Sequence, residues 1–322
     1  MNIDLLDELR NYKVKMVYIC NDPNSTLNKY VEQIYVINMV QDTRKRNYIH
    51  LLFKKYNINY NLVVVDKVCD EVYTKLFQHS KLSSAELGCT MSHMWCLIHI
   101  LKSCFKNAII FEDDVIFKKT FIEDFIQIIN EKPEIDFMLL GAHDFNYSRT
   151  NFKKVENNLY RPDFDDKFPL YGAHANYYSY NGAKRMFFIR GTNLSFFDNE
   201  YHLLFDTLPN SYICSPNLVI ANMNESGISS THKKNFCSQH EHTYYNCCFK
   251  DFNFNKYNLI YHNIFDKSLF KDTLTVEEFI HCCLKKIIPE DDNKLSVIKT
   301  RFSMHFFSIQ DIGFLLQDDG AK

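Results

Sequence analysis

Three consecutive carboxylates, Glu112, Asp113 and Asp114, directly follow the apolar run NAIIF. The run predicts a buried strand, so the acidic side chains fall where that strand reaches an edge of its sheet. Two carboxylates about 5 Å apart, at an effective dielectric near 20, repel by roughly 3 kcal/mol. They therefore need a proton, a basic partner or a divalent cation, and such oxygen ligands suit Mg²⁺ or Mn²⁺. An acidic turn paired with Lys118 and Lys119 is the alternative interpretation.

The position of the triplet also indicates what the cation would do. In open α/β sheets, ligands bind at the carboxyl ends of the strands. A strand that continues through the triplet would point Glu112 and Asp114 to one side and Asp113 to the other. A cation held there neutralises the negative charge of a departing nucleoside diphosphate. Nucleotidyl transfer from a triphosphate uses the same paired acids and stays an alternative.

The surrounding segments predict an α/β fold. Apolar runs typical of strands alternate with segments whose apolar residues recur at helical spacing. Ser83 and Glu86 have the spacing of a capping box at the start of a long apolar helix. The predicted strands are IYVINM, INYNLVVVD, NAIIFEDDVIF and IDFMLLG. Such alternation predicts a Rossmann-like, mainly parallel sheet with helices on both faces.

Composition limits the possible classes of protein. A chain of 322 residues accommodates one main domain and a smaller appendage. The net charge of -2 gives no overall field for nucleic acid or anionic lipid. No signal-like segment or membrane span is evident, so we expect a cytoplasmic protein whose eleven cysteines are reduced thiols. The abundance of Asn, Lys, Ile, Tyr and Phe is typical of an A/T-rich genome, such as that of a large DNA virus.

An ordered series of blocks resembles glycosyltransferase family 25, which includes lipopolysaccharide and procollagen galactosyltransferases. The blocks are IYVINM with TRKR, VVVD, SSAELGCTMSHMWCL, AIIFEDDV, DFMLLGAH, YGAHANYYSYNGAKRM and FFDNEYHLLF. The resemblance implies a GT-A-type fold, a UDP-sugar donor, Mn²⁺ or Mg²⁺, and inversion at the anomeric carbon. It divides the chain into an N-terminal extension (1–32), a transferase domain (33–240) and a mostly helical C-terminal extension (241–322).

The resemblance also implies roles for individual residues. Glu112 and Asp114 would hold the metal, with Asp113 beside the donor. Asp198 is the candidate general base that takes the proton of the acceptor hydroxyl. Asp144 is a second candidate catalytic carboxylate, with an ordinary turn residue as the alternative.

Further positions fall on the donor side of the resemblance. Asn38 and the basic residues Arg44 and Arg46 follow the first strand, with Lys45 left open as the basic partner. Asp66 would accept hydrogen bonds from uracil or ribose, although Lys67 follows it where the family usually has glycine. His93 is the last donor-side candidate, with a core histidine as the alternative.

Several features carry a structural and a functional interpretation side by side. Glu86 is explained by its capping box, and His174 is either a core residue or part of the acceptor side. Tyr177 and Tyr178 would stack on a sugar if exposed. The run 232–248 is rich in His and Cys, but its spacing fits no common zinc finger, and one of its histidines could instead complete the shell of the catalytic metal.

Together these observations predict a metal-dependent hexosyltransferase. It would transfer galactose or glucose from a UDP-sugar to a hydroxyl of a glycan or protein acceptor. The rival hypothesis is a non-catalytic protein that keeps the fold in order to bind a glycan or a partner, because function resides in the site and not in the fold.

Overall fold

The computed structural model describes residues 12–68, 82–142, 151–156, 158–163, 172–191, 196–214 and 217–221. These residues form a mixed α/β structure. Its α-helices are α1 (Thr43–Lys55), α2 (Ser84–Lys102), α3 (Phe121–Glu131), α4 (Tyr180–Gly191) and α5 (Tyr201–Thr207). Short 3-10 helices cover Leu27–Lys29 and Phe197–Glu200. None of the helices in this described part has the length and apolar character needed to span a membrane.

Eleven strands are present among the described residues. They are β1 (Val14–Ile19), β2 (Gln33–Met39), β3 (Tyr60–Val65), β4 (Asn107–Glu112), β5 (Val115–Phe117), β6 (Phe137–Leu139), β7 (Asn151–Glu156), β8 (Leu159–Asp163), β9 (Ala175–Ser179), β10 (Ser211–Cys214) and β11 (Val219–Ala221). Nine form one sheet in the order β1-β3-β2-β4-β9-β6-β10-β8-β7, and β5 pairs with β11.

The main sheet is mixed in direction. β2, β3, β4, β6, β7 and β10 run one way, whereas β1, β8 and β9 run the opposite way. The α/β class is therefore confirmed, with β9 inserted antiparallel between β4 and β6 as the main difference from the predicted sheet.

Two apolar cores cover the two faces of this sheet. Along β2, Tyr35 and Ile37 belong to one core, while Ile34 and Val36 belong to the other. This alternation follows from the two-residue period of a strand. Helices α2, α4 and α5 pack on the first face, and α1 and α3 on the second. The predicted placement of helices on both faces is confirmed.

The predicted third strand, NAIIFEDDVIF, is wrong as one continuous strand. β4 ends at Glu112, and Asp113 and Asp114 form a turn before β5 begins. β5 then leaves the main sheet and pairs antiparallel with β11. The alternation expected for an unbroken strand does not apply to the two aspartates, because a turn places them.

Parts of the predicted organisation lie beyond the described residues. These parts are Asp144, the His- and Cys-rich run 232–248 and the whole of the predicted C-terminal extension. At the other end, β1 belongs to the predicted N-terminal extension and pairs antiparallel with β3. The segment before residue 33 therefore contributes a strand to the main sheet.

Glycine is required where α4 begins. A Cβ atom on Gly182 would lie 1.9 Å from the carbonyl oxygen of Asp136. We expect Gly182→Ala to lower the free energy of unfolding by about 1–3 kcal/mol, because one of the two backbones must shift. Gly88→Ala in α2 is the matched control, since its Cβ would meet no atom closer than 3.7 Å. The control should gain about 0.5–1 kcal/mol. Urea unfolding measures both, and equal effects would contradict the prediction.

Candidate functional site

Three parallel strand ends build the site. β2 pairs in parallel with β3 on one side and with β4 on the other. Their carboxyl ends therefore reach the same edge of the sheet and carry Asn38, Asp66 and Glu112. The turn that follows β4 adds Asp113 and Asp114 at this edge. The predicted grouping of polar side chains at the strand ends is present in the structure.

Asp113 has a basic partner. Its Oδ1 lies 2.9 Å from Nζ of Lys45, and its Oδ2 accepts a hydrogen bond of 2.7 Å from Nδ2 of Asn38. Burial raises the pKa of Asp113, and Lys45 and Asn38 oppose that rise. Burial also disfavours the charged amine of Lys45, but Asp114 and Asp113 raise its pKa above the ordinary value. Lys118, from the alternative interpretation, pairs with Asp124 instead.

The other two basic residues at the start of α1 have different positions. Arg46 donates from Nε to Oδ1 of Asn38, at 2.8 Å, and from its terminal amine to the carbonyl oxygens of Met39 and Val40. It therefore fixes the loop between β2 and α1. Arg44 is exposed in the first turn of α1. Of the three basic residues at the start of α1, Lys45 contacts the triplet through Asp113.

Glu112 is bound to α2. Its Oε1 lies 3.1 Å from Nε2 of His93 and 3.3 Å from Sγ of Cys89, both of which can donate to it. Its backbone N–H donates to the carbonyl oxygen of His174. Burial favours a raised pKa for Glu112, but the hydrogen bond and charge interaction with His93 hold the pKa below its usual value. The Glu112 side chain remains 26% exposed.

Asp114 is the carboxylate without a hydrogen-bonding partner at one oxygen. Its Oδ1 is buried and has no partner among the described residues. Burial, with the neighbouring charges of Glu112 and Asp113, raises the pKa of Asp114 to about 7 against the opposing charge of Lys45. A buried anion in these surroundings is stable only with a proton or a cation.

Asp198 lies at the start of a 3-10 helix beside this acidic group. Its Oδ2 accepts a hydrogen bond of 2.9 Å from the backbone N–H of Gly172, whose φ is 138°. Burial, with the charge of Glu112, raises the pKa of Asp198 to about 6, while the hydrogen bond from Gly172 and the charge of the buried Arg190 oppose the rise. A half-buried carboxylate with this pKa is ionised near neutral pH and able to accept a proton.

Several residues with two interpretations are structural. Ser83 and Glu86 form the predicted capping box at the start of α2. Tyr177 and Tyr178 are 4% and 0% exposed, so they pack in the core and cannot stack on a sugar. His174 is also buried, and burial lowers its pKa to about 4.

His93 and Asp66 lie at different depths. His93 is fully buried, and its ring stacks on Phe197 with centroids 4.3 Å apart. Asp66 is exposed at the end of β3, where its Oδ1 accepts a hydrogen bond from the backbone of Lys67. The carbonyl oxygen of Asp66 lies 3.4 Å from the hydroxyl of Tyr12. A ligand bound across the strand ends would contact Asp66 directly, whereas Glu112 would lie between that ligand and His93.

Sequence reasoning missed some residues at the site. Cys89 entered only as a core thiol, although its spacing of four residues from His93 places both on one face of α2. Gly172 positions Asp198, and Arg190 balances its charge. Neither residue has a distinctive spacing from Asp198 in the sequence. Their contacts arise between distant elements.

The pair formed by Lys45 and Asp113 supports a prediction on stability. Lys45→Met keeps the apolar stem and leaves Asp113 without its cation, so we expect a loss of about 3 kcal/mol. The loss should be smaller at pH 5 than at pH 8, because burial favours the protonated form of Asp113. Urea unfolding at both pH values is the measurement.

Lys106→Met is the control for this change. Lys106 lies 3.9 Å from Glu32 and is 86% exposed, so the loss should stay below about 1 kcal/mol. Equal losses in the two variants would show that Lys45 contributes no more than a surface lysine.

The acidic turn lies in a segment of the chain that matches the model of a known protein family. Residues 31–181 match the family model described as glycosyltransferase family 25 (LPS biosynthesis protein). This segment runs from just before β2 into the start of α4 and includes the triplet, Lys45 and His93. Asp198 lies after the matched segment. No curated protein matches the chain.

Proposed function

We propose that this chain, whose residues 31–181 match the model of glycosyltransferase family 25, transfers galactose or glucose from a UDP-sugar to a hydroxyl of a glycan or protein acceptor. The proposed reaction depends on a divalent metal and inverts the anomeric carbon. The proposal includes a GT-A-type fold over residues 33–240, with the donor across the ends of β3, β2 and β4. The observation that carries it is Asp114, a buried carboxylate with an oxygen that has no partner among the described residues.

The acidic turn fits a hard divalent cation. Glu112 and Asp114 would hold Mn²⁺ or Mg²⁺, because both carry carboxylate oxygens, the Glu112 side chain is 26% exposed, and Oδ1 of Asp114 has no hydrogen-bonding partner among the described residues. Asp113 is less suited to direct binding, since both of its oxygens already have partners. When bound, the cation supplies positive charge against the developing charge of the leaving UDP.

The remaining residues have separate tasks in this proposal. Asp66 is exposed at the end of β3 and would accept hydrogen bonds from uracil or ribose. Arg44 is exposed in the first turn of α1 and would face the diphosphate. Asp198 would take the proton of the acceptor hydroxyl as that oxygen attacks the sugar. One base and one displacement give inversion, because the acceptor enters opposite the departing UDP.

Release of UDP tests the proposal. Purified full chain is incubated with a panel of UDP-sugars and candidate acceptors, with Mn²⁺ or with EDTA. We expect UDP release from one sugar, lost in EDTA. Absence of release across the panel from folded protein that still binds UDP would favour the non-catalytic binding protein. Release of pyrophosphate from a nucleoside triphosphate would favour nucleotidyl transfer.

A further inference from the structure

A second set of metal-binding groups lies beside the acidic turn. Cys89 and His93 occur four residues apart in α2, so their side chains emerge from one face of the helix. Glu112 reaches the same place from the end of β4. One ligand atom from each residue, a sulfur, an imidazole nitrogen and a carboxylate oxygen, lies within 4.8 Å of the other two.

Two of the three separations between these atoms are close to those of a tetrahedral site. Typical zinc bond lengths of about 2.3 Å to sulfur and about 2.0 Å to nitrogen or oxygen give ligand separations of roughly 3.5 Å for S to O and roughly 3.3 Å for N to O. The structure has 3.3 Å from Cys89 Sγ to Glu112 Oε1 and 3.1 Å from His93 Nε2 to the same oxygen. Each of these two separations has to lengthen by about 0.2 Å to accommodate the ion.

The chemistry of the three ligands selects a different ion from the pair Glu112 and Asp114. Thiolate and imidazole favour Zn²⁺ and similar cations, whereas Mg²⁺ and Mn²⁺ prefer oxygen. Three protein ligands with an open fourth position are typical of zinc sites that exchange a ligand with solvent or substrate. The Glu112 side chain is 26% exposed, so solvent reaches this ligand, where the fourth one would enter.

We propose that Cys89, His93 and Glu112 form a zinc site with an open fourth position. Binding replaces the thiol proton of Cys89, which passes to solvent. It also requires the imidazole proton of His93 to lie on Nδ1, leaving Nε2 as the ligand. In the structure Nε2 lies 3.1 Å from Glu112 and can donate to it, so zinc binding displaces the proton that this hydrogen bond uses. Nδ1 is buried without a hydrogen-bonding partner among the described residues. The zinc site shares Glu112 with the site proposed above for Mn²⁺ or Mg²⁺, and its test measures zinc binding, not sugar transfer.

Cobalt spectroscopy tests the site without an activity assay. Full-length protein is stripped with EDTA and titrated with Co²⁺. We expect a near-ultraviolet thiolate-to-cobalt charge-transfer band that Zn²⁺ displaces and Mg²⁺ does not. Cys89→Ser should remove this band and one equivalent of bound zinc. His93→Gln keeps the thiol of Cys89. Removal of an outer-shell partner weakens metal binding roughly ten- to hundredfold, and His93→Gln should weaken zinc binding by more than that.

Two controls separate this site from other thiols. Cys96→Ser changes a buried cysteine of the same helix and should keep the band. His240→Ala with His242→Ala changes the His- and Cys-rich run and should also keep it. Should Cys89→Ser unfold, as circular dichroism would show, His93→Gln and Glu112→Gln decide. The proposal is overturned if the band and zinc stoichiometry survive in Cys89→Ser, or if zinc affinity is unchanged in both of the other variants.

Discussion

Asp114→Asn is expected to reduce Mn²⁺-dependent UDP release by about a thousandfold, because a metal ion contributes several kcal/mol of charge stabilisation. Asparagine keeps the size of the side chain and removes the charge that would hold the ion. The variant should also lose the rise in melting temperature that Mn²⁺ gives to the wild type. UDP release and thermal unfolding, each with Mn²⁺ and with EDTA, are the measurements.

The same change should stabilise the metal-free protein at pH 8. The folded pKa of Asp114 is raised from 3.8 to about 7, chiefly by burial. Between these values the folded state binds more protons than the unfolded state, so stability falls as the pH rises toward 7. Asparagine has no charge to bury, and Asp114→Asn should lose less stability than the wild type between pH 5 and pH 8 in EDTA.

Asp124→Asn is the matched control because its carboxylate has good partners. Oδ2 of Asp124 lies 2.7 Å from Nζ of Lys118 and 2.8 Å from the hydroxyl of Thr120. The same substitution there should destabilise the protein at pH 8. If Asp114→Asn behaves like the control and still responds to Mn²⁺, then Asp114 is an ordinary paired carboxylate and the metal hypothesis fails.

Local signals predicted the elements that carry the site. The capping box of Ser83 and Glu86 fixes the start of α2 through contacts within one turn, so the sequence contains the whole interaction. The apolar runs that became β2, β3 and β4 read as strands because both of their faces are buried. Because these three strands are parallel, Asn38, Asp66 and Glu112 lie at the same edge of the sheet.

Contacts between distant elements were not predictable in the same way. The break after Glu112 depends on β5 pairing with β11, more than a hundred residues along the chain. The sequence offered three bases after β2, and only the structure shows that Lys45 meets Asp113 while Arg46 holds the loop. These choices depend on three-dimensional packing, which periodicity does not record.

Asp198→Asn is expected to lower kcat by about 10²–10⁴-fold, the usual contribution of a positioned base, with little change in donor affinity. In the wild type, kcat/KM should fall as the pH drops below about 6, because burial raises the pKa of Asp198 to about 6 and only the ionised form accepts a proton. Activity should be full above this pKa and fall tenfold for each pH unit well below it. Initial rates from pH 4.5 to 8, with folding checked at each pH, measure both effects.

Asp206→Asn supplies the control for charge, since Asp206 is exposed in α5 and lies outside the site. That variant should keep both the rate and the pH profile of the wild type. The Asp198 variant should lose the limb near pH 6, because the group that titrates there is gone. If Asp198→Asn keeps its rate while Asp144→Asn loses it, the base is Asp144, and Asp198 serves only to hold Gly172 through its backbone N–H.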